Sequence, residues 1–183
     1  MQDRQHLIDL QQQACERMLD YIYFWNQPVQ EEVVSKACFS QWYPSAFVVN
    51  EVQYATAEHW MMAGKANLFD PSMIDQILAN PDPAVAKLLG RKIKHFDEAV
   101  WRSCRFDIVV AGNLAKFSQH PALREMLLNT GDHILVEASP VDRIWGIGLS
   151  EFHRKAKHPS TWQGLNLLGF ALMRVREQLQ TVQ

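Results

Sequence analysis

Asp97–Ser118 reads DEAVWRSCRFDIVVAGNLAKFS, and this stretch decides the fold class. Asp97 is a good N-cap, because a short carboxylate can accept the unpaired amides of a first helical turn. Behind it, Val100, Trp101, Cys104, Ile108, Ala111 and Ala115 recur at three- and four-residue intervals, which predicts one long helix with an apolar stripe.

Working outward, the neighbouring segments are also mostly helical. Upstream, Thr56 is placed to cap a helix through Asn67; Asp70-Pro71 stops it and opens another running to about Ala79, and Pro81 and Pro83 bracket a turn. Ala46–Tyr54 predicts two short strands around Asn50-Glu51, a small hairpin. Gln27–Lys36 reads as a loop. At the N-terminus, Leu7, Leu10, Ala14, Met18 and Ile22 predict an amphipathic helix that merges into the apolar Tyr21–Trp25 stretch and packs on the outside of the domain. Downstream, Pro121 suits a first helical turn and Gly131 its end. Ile134–Ala138 predicts a strand of alternating faces, Ser139–Pro159 a long loop, and Asn166–Gln180 a last helix with Leu168, Ala171, Leu172, Val175 and Leu179 facing inward. The expectation is a mainly α fold with a few short β-strands.

Composition narrows the function. The 183 residues, 48% of them hydrophobic, suffice for one domain with a sizeable core. Lys plus Arg number 18 against 20 Asp plus Glu, a formal charge of -2 that argues against a dedicated duplex-binding protein. The first residues lack the pattern of a secretory signal, and no stretch approaches the roughly 20 apolar residues of a membrane span, so the expectation is a soluble cytoplasmic protein without membrane association. Cys15, Cys38 and Cys104 lie far apart and outside any CxxC, which points to reduced thiols rather than a disulfide framework. Glu58-His59 lacks the second His of a zinc helix, and His153 and His158 make no other ligand pattern; no metal is expected.

Four polar and aromatic clusters exceed what packing requires: Cys38–Ser45, Thr56–Lys65, Asp142–Gly148 and Trp162–Gly169. Together they suggest a nucleotide pocket. Glu58 and Lys65, seven apart, return to within roughly 20° of the same helix face, about 10 Å apart along the axis; a substrate-facing pair and two solvated charges both fit that spacing. Trp101 serves either a base-stacking wall or, with Phe96, a hydrophobic staple around the Asp97 cap. Trp145, in the long loop, is open to function and to packing alike. Gly146-Ile-Gly148 would let amides approach a phosphate, yet it lacks the rest of a dinucleotide fingerprint. Arg154, Lys155 and Lys157 read as a solvated run or a lure for a phosphorylated ligand. Asn166 suits either a helix cap or a ligand contact, and Lys116 either the dipole of its helix end or a site.

In order along the chain, Phe39–Ser45 (FSQWYPS), Thr56–His59 (TAEH) with Lys65, Leu88–Arg91 (LLGR), Trp101, Lys116-Phe117, Leu127–Asp132 (LLNTGD), Glu137–Gly148 (EASPVDRIWGIG) and Asn166–Gly169 (NLLG) resemble the NADAR (YbiA-like) family, over about Ile22 to Leu179. The resemblance implies a compact YbiA-like helical domain over residues 22–183, with residues 1–21 as an N-terminal helix packed on it. It implies an N-glycosidase, one that hydrolyses the ribose C1–N bond of phosphorylated ribosylamino pyrimidine intermediates of riboflavin biosynthesis. Some members instead remove ADP-ribose from guanine bases in nucleic acid, and a non-catalytic NAD or ADP-ribose binding module is the third reading. Two departures concern local hydrogen bonding: Gln41 stands where the family commonly has Asn, and Ala57 where it has Ser. On this resemblance Glu58, Lys65 and Asp142 are the catalytic candidates. Ser40, Trp42, Tyr43, Trp101, Lys116, Trp145, Gly146 and Asn166 are the substrate-binding ones, with a phosphorylated nucleotide-like molecule as partner and no cofactor.

Overall fold

The computed structural model describes residues 4–13, 19–25, 27–28 and 33–181. Among them are seven α-helices and four short strands, so the fold is mainly α, as expected from the sequence. The chain divides into two compact units, residues 41–124 in one and residues 1–40 with 125–183 in the other.

The contiguous unit begins with β2 (Phe47–Val49) and β3 (Val52–Tyr54), an antiparallel hairpin. Asn50 and Glu51 both take positive φ, 49° and 66°, as a tight two-residue connection requires. α2 (Ala57–Phe69) and α5 (Glu98–Gln119) form its centre, joined where Trp60 Nε1 donates to Ile108 O at 2.7 Å. Asp97 caps α5 as expected, its Oδ1 accepting from Ala99 N at 2.8 Å and Val100 N at 3.0 Å. α3 (Ile74–Leu78) follows a 3-10 turn at Pro71–Met73. The expected turn around Pro81 and Pro83 is instead the start of a helix, α4 (Pro83–Gly90): Pro83 occupies its first turn, where the missing N–H costs nothing, and Asp82 caps Ala84 N at 2.8 Å.

The buried face of α5 is not the expected stripe. Trp101, Arg105, Val109, Gly112, Asn113 and Lys116 face inward, while Val100 and Ala111 are exposed. The buried line runs one residue later at almost every step, a rotation of about 100°. The reason is chemical: the true inner face carries Arg105, Asn113 and Lys116, so hydrophobicity marks the wrong side.

In the other unit, β1 (Tyr21–Phe24) and β4 (Ile134–Glu137) pair in parallel, Tyr21 opposite Ile134 through Phe24 opposite Glu137. This corrects the N-terminal reading, in which Ile22 continues a helix: α1 (Arg4–Gln13) is separate, and Ala14 and Met18 lie outside the described residues. Tyr-Ile-Tyr-Phe is a short apolar run that helical and extended templates share, and only its distant partner settles which forms. β4 does not alternate either; Ile134, Leu135 and Val136 are all buried, the habit of a strand in a parallel pair. α1 is fastened by Arg4, whose guanidinium donates to Pro159 O at 2.9 Å and Trp162 O at 2.8 Å. The long loop after β4 contains a 3-10 turn at Arg154–Lys157, and α6 (Pro121–Leu128) carries the chain from one unit to the other.

α7 (Leu167–Thr181) lies on β4 with its expected apolar face, Leu168 to Leu179, buried. The approach is close at Gly169, where a Cβ would fall on Leu135 O, well inside contact distance. Gly→Ala in a helix ordinarily stabilises by about 1 kcal/mol; here overpacking reverses the sign. Gly169→Ala should lower the midpoint of urea unfolding, with a loss of about 1–3 kcal/mol. A raised midpoint would show that α7 is not held on β4 by this contact.

Candidate functional site

The 41–124 unit holds Glu58, Lys65, Trp42, Tyr43, Trp101 and Lys116. Glu58 sits in the first turn of α2 with 3% of its surface exposed. Its amide donates to Gln41 O at 3.0 Å, so the Gln41 backbone, and not the Thr56 side chain, completes this helix start. The Thr56 hydroxyl is directed to His59 Nδ1 at 2.9 Å; His59 Nε2 donates to Asn80 O at 2.7 Å, which locks the imidazole in a fully buried place. Two opposed effects therefore meet at Glu58: the helix N-terminus favours an anion there, and removal from water disfavours one.

Lys65 lies two turns further along α2, half-buried. Its ammonium donates to Gly90 O at 2.9 Å and rests 4.2 Å from the centre of the Phe96 ring. Burial pulls its pKa below the usual lysine range, and the Glu98 carboxylate opposes part of that fall. Phe96 itself packs edge-on against Phe69 of α2 at 5.3 Å, so its ring serves the wall beside Lys65. Trp101 is buried, 8% exposed.

Lys116 is not a solvated charge at a helix end; it is fully buried, 5.4 Å from the Tyr43 ring centre and 5.2 Å from that of Phe117. Trp42 is 42% exposed, with the Lys87 ammonium 5.6 Å from its ring. Two buried polar residues of this unit, Asn113 and Arg105, escape sequence reasoning. Asn113 Nδ2 donates to Gln41 Oε1 at 2.8 Å and to Val109 O at 2.9 Å. Arg105 is 6% exposed and lies 3.7 Å from Glu98. The available signal was the polar interruption of α5 itself, at spacings of three and four residues.

Ser40, Asp142, Trp145, Gly146 and Asn166 belong to the other unit. Ser40 ends the 3-10 turn Lys36–Phe39, its amide donating to Ala37 O. Asp142 Oδ1 accepts from Ile144 N at 2.8 Å and Trp145 N at 2.7 Å, so one carboxylate oxygen shapes the loop. Trp145 is half-buried, and its carbonyl accepts from Leu168 N at 3.1 Å. The Gly146–Gly148 amides do not form an open phosphate cradle: Ile147 N donates to Glu137 O at 2.9 Å and Gly148 N to Asp142 O at 3.0 Å. Gly146 is where the loop folds tightly on itself, since a Cβ would lie 2.9 Å from Glu137 O. Asn166 precedes α7, but its side chain does not cap it. Oδ1 accepts from Glu137 N and Nδ2 donates to Leu135 O, each at 3.0 Å, so the amide closes the open edge of β4. Its φ of 55° suits Asn, among the few non-glycine residues that tolerate the left-handed region. Among the described residues, no three His, Cys, Asp or Glu gather in a metal-binding group, and no helix is long and apolar enough to cross a membrane.

A helical unit that buries a carboxyl, two cations and an amide pair has the equipment of an enzyme for a polar substrate. The profile of the NADAR domain matches residues 23–180. An N-glycosidase of Acanthamoeba polyphaga mimivirus is 43% identical over 148 residues, covering 78% of this chain and 87% of the viral protein. A Zea mays chloroplast protein named riboflavin biosynthesis protein PYRR is 34% identical over 134 residues, 69% of this chain and 20% of its own length. The NMR structure of the E. coli protein YbiA superposes with a TM-score of 0.70 at 28% identity, covering 91% of this chain and 89% of that one. The chain belongs to the NADAR family and is an enzyme of the N-glycosidase class.

The Lys65 environment makes a pH prediction. Its folded pKa is lowered, so the unfolded chain binds more protons between that value and the ordinary lysine value of 10.5. Stability contributed at this position therefore rises with pH across that window. In urea titrations at stepped alkaline pH, the wild type should gain relative to Lys65→Met as pH rises; a constant difference would show that Lys65 is not desolvated.

Proposed function

We propose that this chain hydrolyses the ribose C1–N bond of phosphorylated ribosylamino pyrimidine intermediates of riboflavin biosynthesis, with Glu58 as the acid/base group. The observation that carries this reading is the burial of the Glu58 carboxyl in the first turn of α2, in the unit that also buries Lys116 and half-buries Lys65. Breaking the bond leaves its electron pair on nitrogen, which takes a proton, and positive charge on C1, which water then attacks with loss of a proton. A positioned carboxyl suits both proton transfers and the charge at C1. Lys65 binds the substrate phosphate or, as an amine with a lowered pKa, attacks the aldehyde of the ring-opened sugar, whose oxygen leaves as water to give an imine. Trp101 is proposed to stack on the base, with Trp42, Tyr43 and Lys116 as further substrate contacts. The name of the maize relative supports a riboflavin precursor. Residues 22–183 are proposed as the catalytic domain and residues 1–21 as its N-terminal addition.

One observation favours the second reading, removal of ADP-ribose from guanine in nucleic acid. Phe152 is 90% exposed beside the exposed Arg154, Lys155 and Lys157, a pairing of aromatic and cations that suits a single strand.

Mass spectrometry of products from a ribosylamino pyrimidine phosphate and from an ADP-ribosylated guanine oligonucleotide, with wild type and Glu58→Gln, tests both. Release of ribose phosphate that falls about 100-fold or more in Glu58→Gln, with binding largely retained, is expected. Glu58-dependent release of ADP-ribose instead would select the second reading, and cleavage of neither would reduce the chain to a binding module. Borohydride trapping of an adduct on Lys65 distinguishes the imine from a phosphate contact.

A further inference from the structure

Arg105 of α5 is a buried cation with little to offset its burial. A guanidinium carries five N–H donors, yet among the described residues Arg105 makes no hydrogen bond, and its Nε is sealed from solvent without a partner. Its ion pair with Glu98 is long, 3.7 Å from Nη1 to Oε1, and the Glu98 side chain is 59% exposed. An exposed pair of that length offsets little of what burying a charge costs. Neither terminal nitrogen is sealed as Nε is, and Nη1 faces a carboxylate that solvent reaches, so the guanidinium can be approached from the Glu98 side.

The same carboxylate acts on Lys65, where it opposes the fall in pKa that burial causes. Helix geometry accounts for the sharing. α2 and α5 run antiparallel here: Trp60 of α2 meets Gly112 of α5, and Gly64, one turn on, meets Ile108, one turn back. Lys65, the next residue of α2, therefore lies level with the turn of α5 that carries Arg105. Two cations thus depend on one exposed carboxylate, which leaves net positive charge in a place partly withdrawn from water. A dianion matches that charge where a carboxylate offers only what Glu98 already supplies, and the oxygens of a phosphate can accept side by side from the two terminal nitrogens of a guanidinium.

We propose that Arg105 and Lys65 form a phosphate-binding site, in which the Glu98 carboxylate stands where phosphate oxygens bind and swings into solvent when the ligand arrives. The ligand needs no preformed cavity, because it exchanges with a carboxylate already in contact with water. The inference rests on the N-glycosidase reading only in naming the ligand as the substrate's phosphate, and there it deepens that reading: Lys65 takes the first of its two roles, and Arg105 joins it as a binding residue.

The probe is inorganic phosphate, so the outcome does not depend on turnover. Calorimetric titration of the full chain at neutral pH and low ionic strength should show saturable phosphate binding, tighter than that of acetate. Glu98→Gln, which removes the internal competitor, should tighten phosphate by roughly three-fold. Asp107→Asn, which removes an exposed charge elsewhere on α5, should leave the affinity near that of wild type. Arg105→Lys keeps the charge and loses the fork, and should weaken phosphate by roughly ten-fold. No saturable binding by wild type and Glu98→Gln, acetate as tight as phosphate, equal responses of Glu98→Gln and Asp107→Asn, or a folded Arg105→Lys that binds like wild type would overturn the proposal, even if the enzyme cleaves N-glycosides. Because Glu98 is exposed, its substitution tests the site even where Arg105→Lys fails to fold. The expected phosphate responses without cleavage of any N-glycoside would remove the proposed reaction and keep the site.

Discussion

The withdrawal of Glu58, Arg105, Asn113 and Lys116 from water is the constraint on which the 41–124 unit is organised. Buried charge costs several kcal/mol unless neighbours replace its hydration, so the helices that carry these groups must meet at defined heights and rotations. Trp60 ties α2 to α5 through Ile108 O, and the Gln41 carbonyl completes the first turn of α2 while its side chain engages α5 through Asn113. The unit is thereby arranged around polar contacts as much as around apolar ones, which is why α5 turns a face of mixed chemistry inward. Such a face is poor material for stability alone and good material for holding a polar ligand.

In the other unit, motif residues maintain backbone geometry. Asn166 supplies the hydrogen bonds that the open edge of β4 lacks, and Gly169 lets α7 approach that strand. Asp142 organises the loop after β4 through two amides, and Gly146 lets it fold tightly. A motif string such as Glu137–Gly148 therefore contains groups that shape the chain. Its residues become separable only once each hydrogen bond has been traced. Tyr23 shows the influence of burial in this unit in another way: desolvation, with the Glu151 carboxylate adding to it, pushes its pKa up to about 12.

Features governed by near neighbours were legible in the amino-acid order. The Asp97 cap, the Asn50-Glu51 hairpin, the apolar face of α7 and the mainly α class all follow from groups within a few residues of one another. The polar and aromatic cluster around Glu58 and Lys65 was visible by the same route, its spacing fitting a substrate-facing pair and two solvated charges alike. Tertiary structure alone decided that Tyr21–Phe24 is a strand, since its partner lies over a hundred residues away and the run suits two local conformations. It also decided the rotation of α5 and the occupation of Asn166, Asp142 and Lys116. Local sequence specifies torsion angles and caps because those energies act within one turn of chain; which polar groups leave water is set by what arrives from elsewhere to replace it.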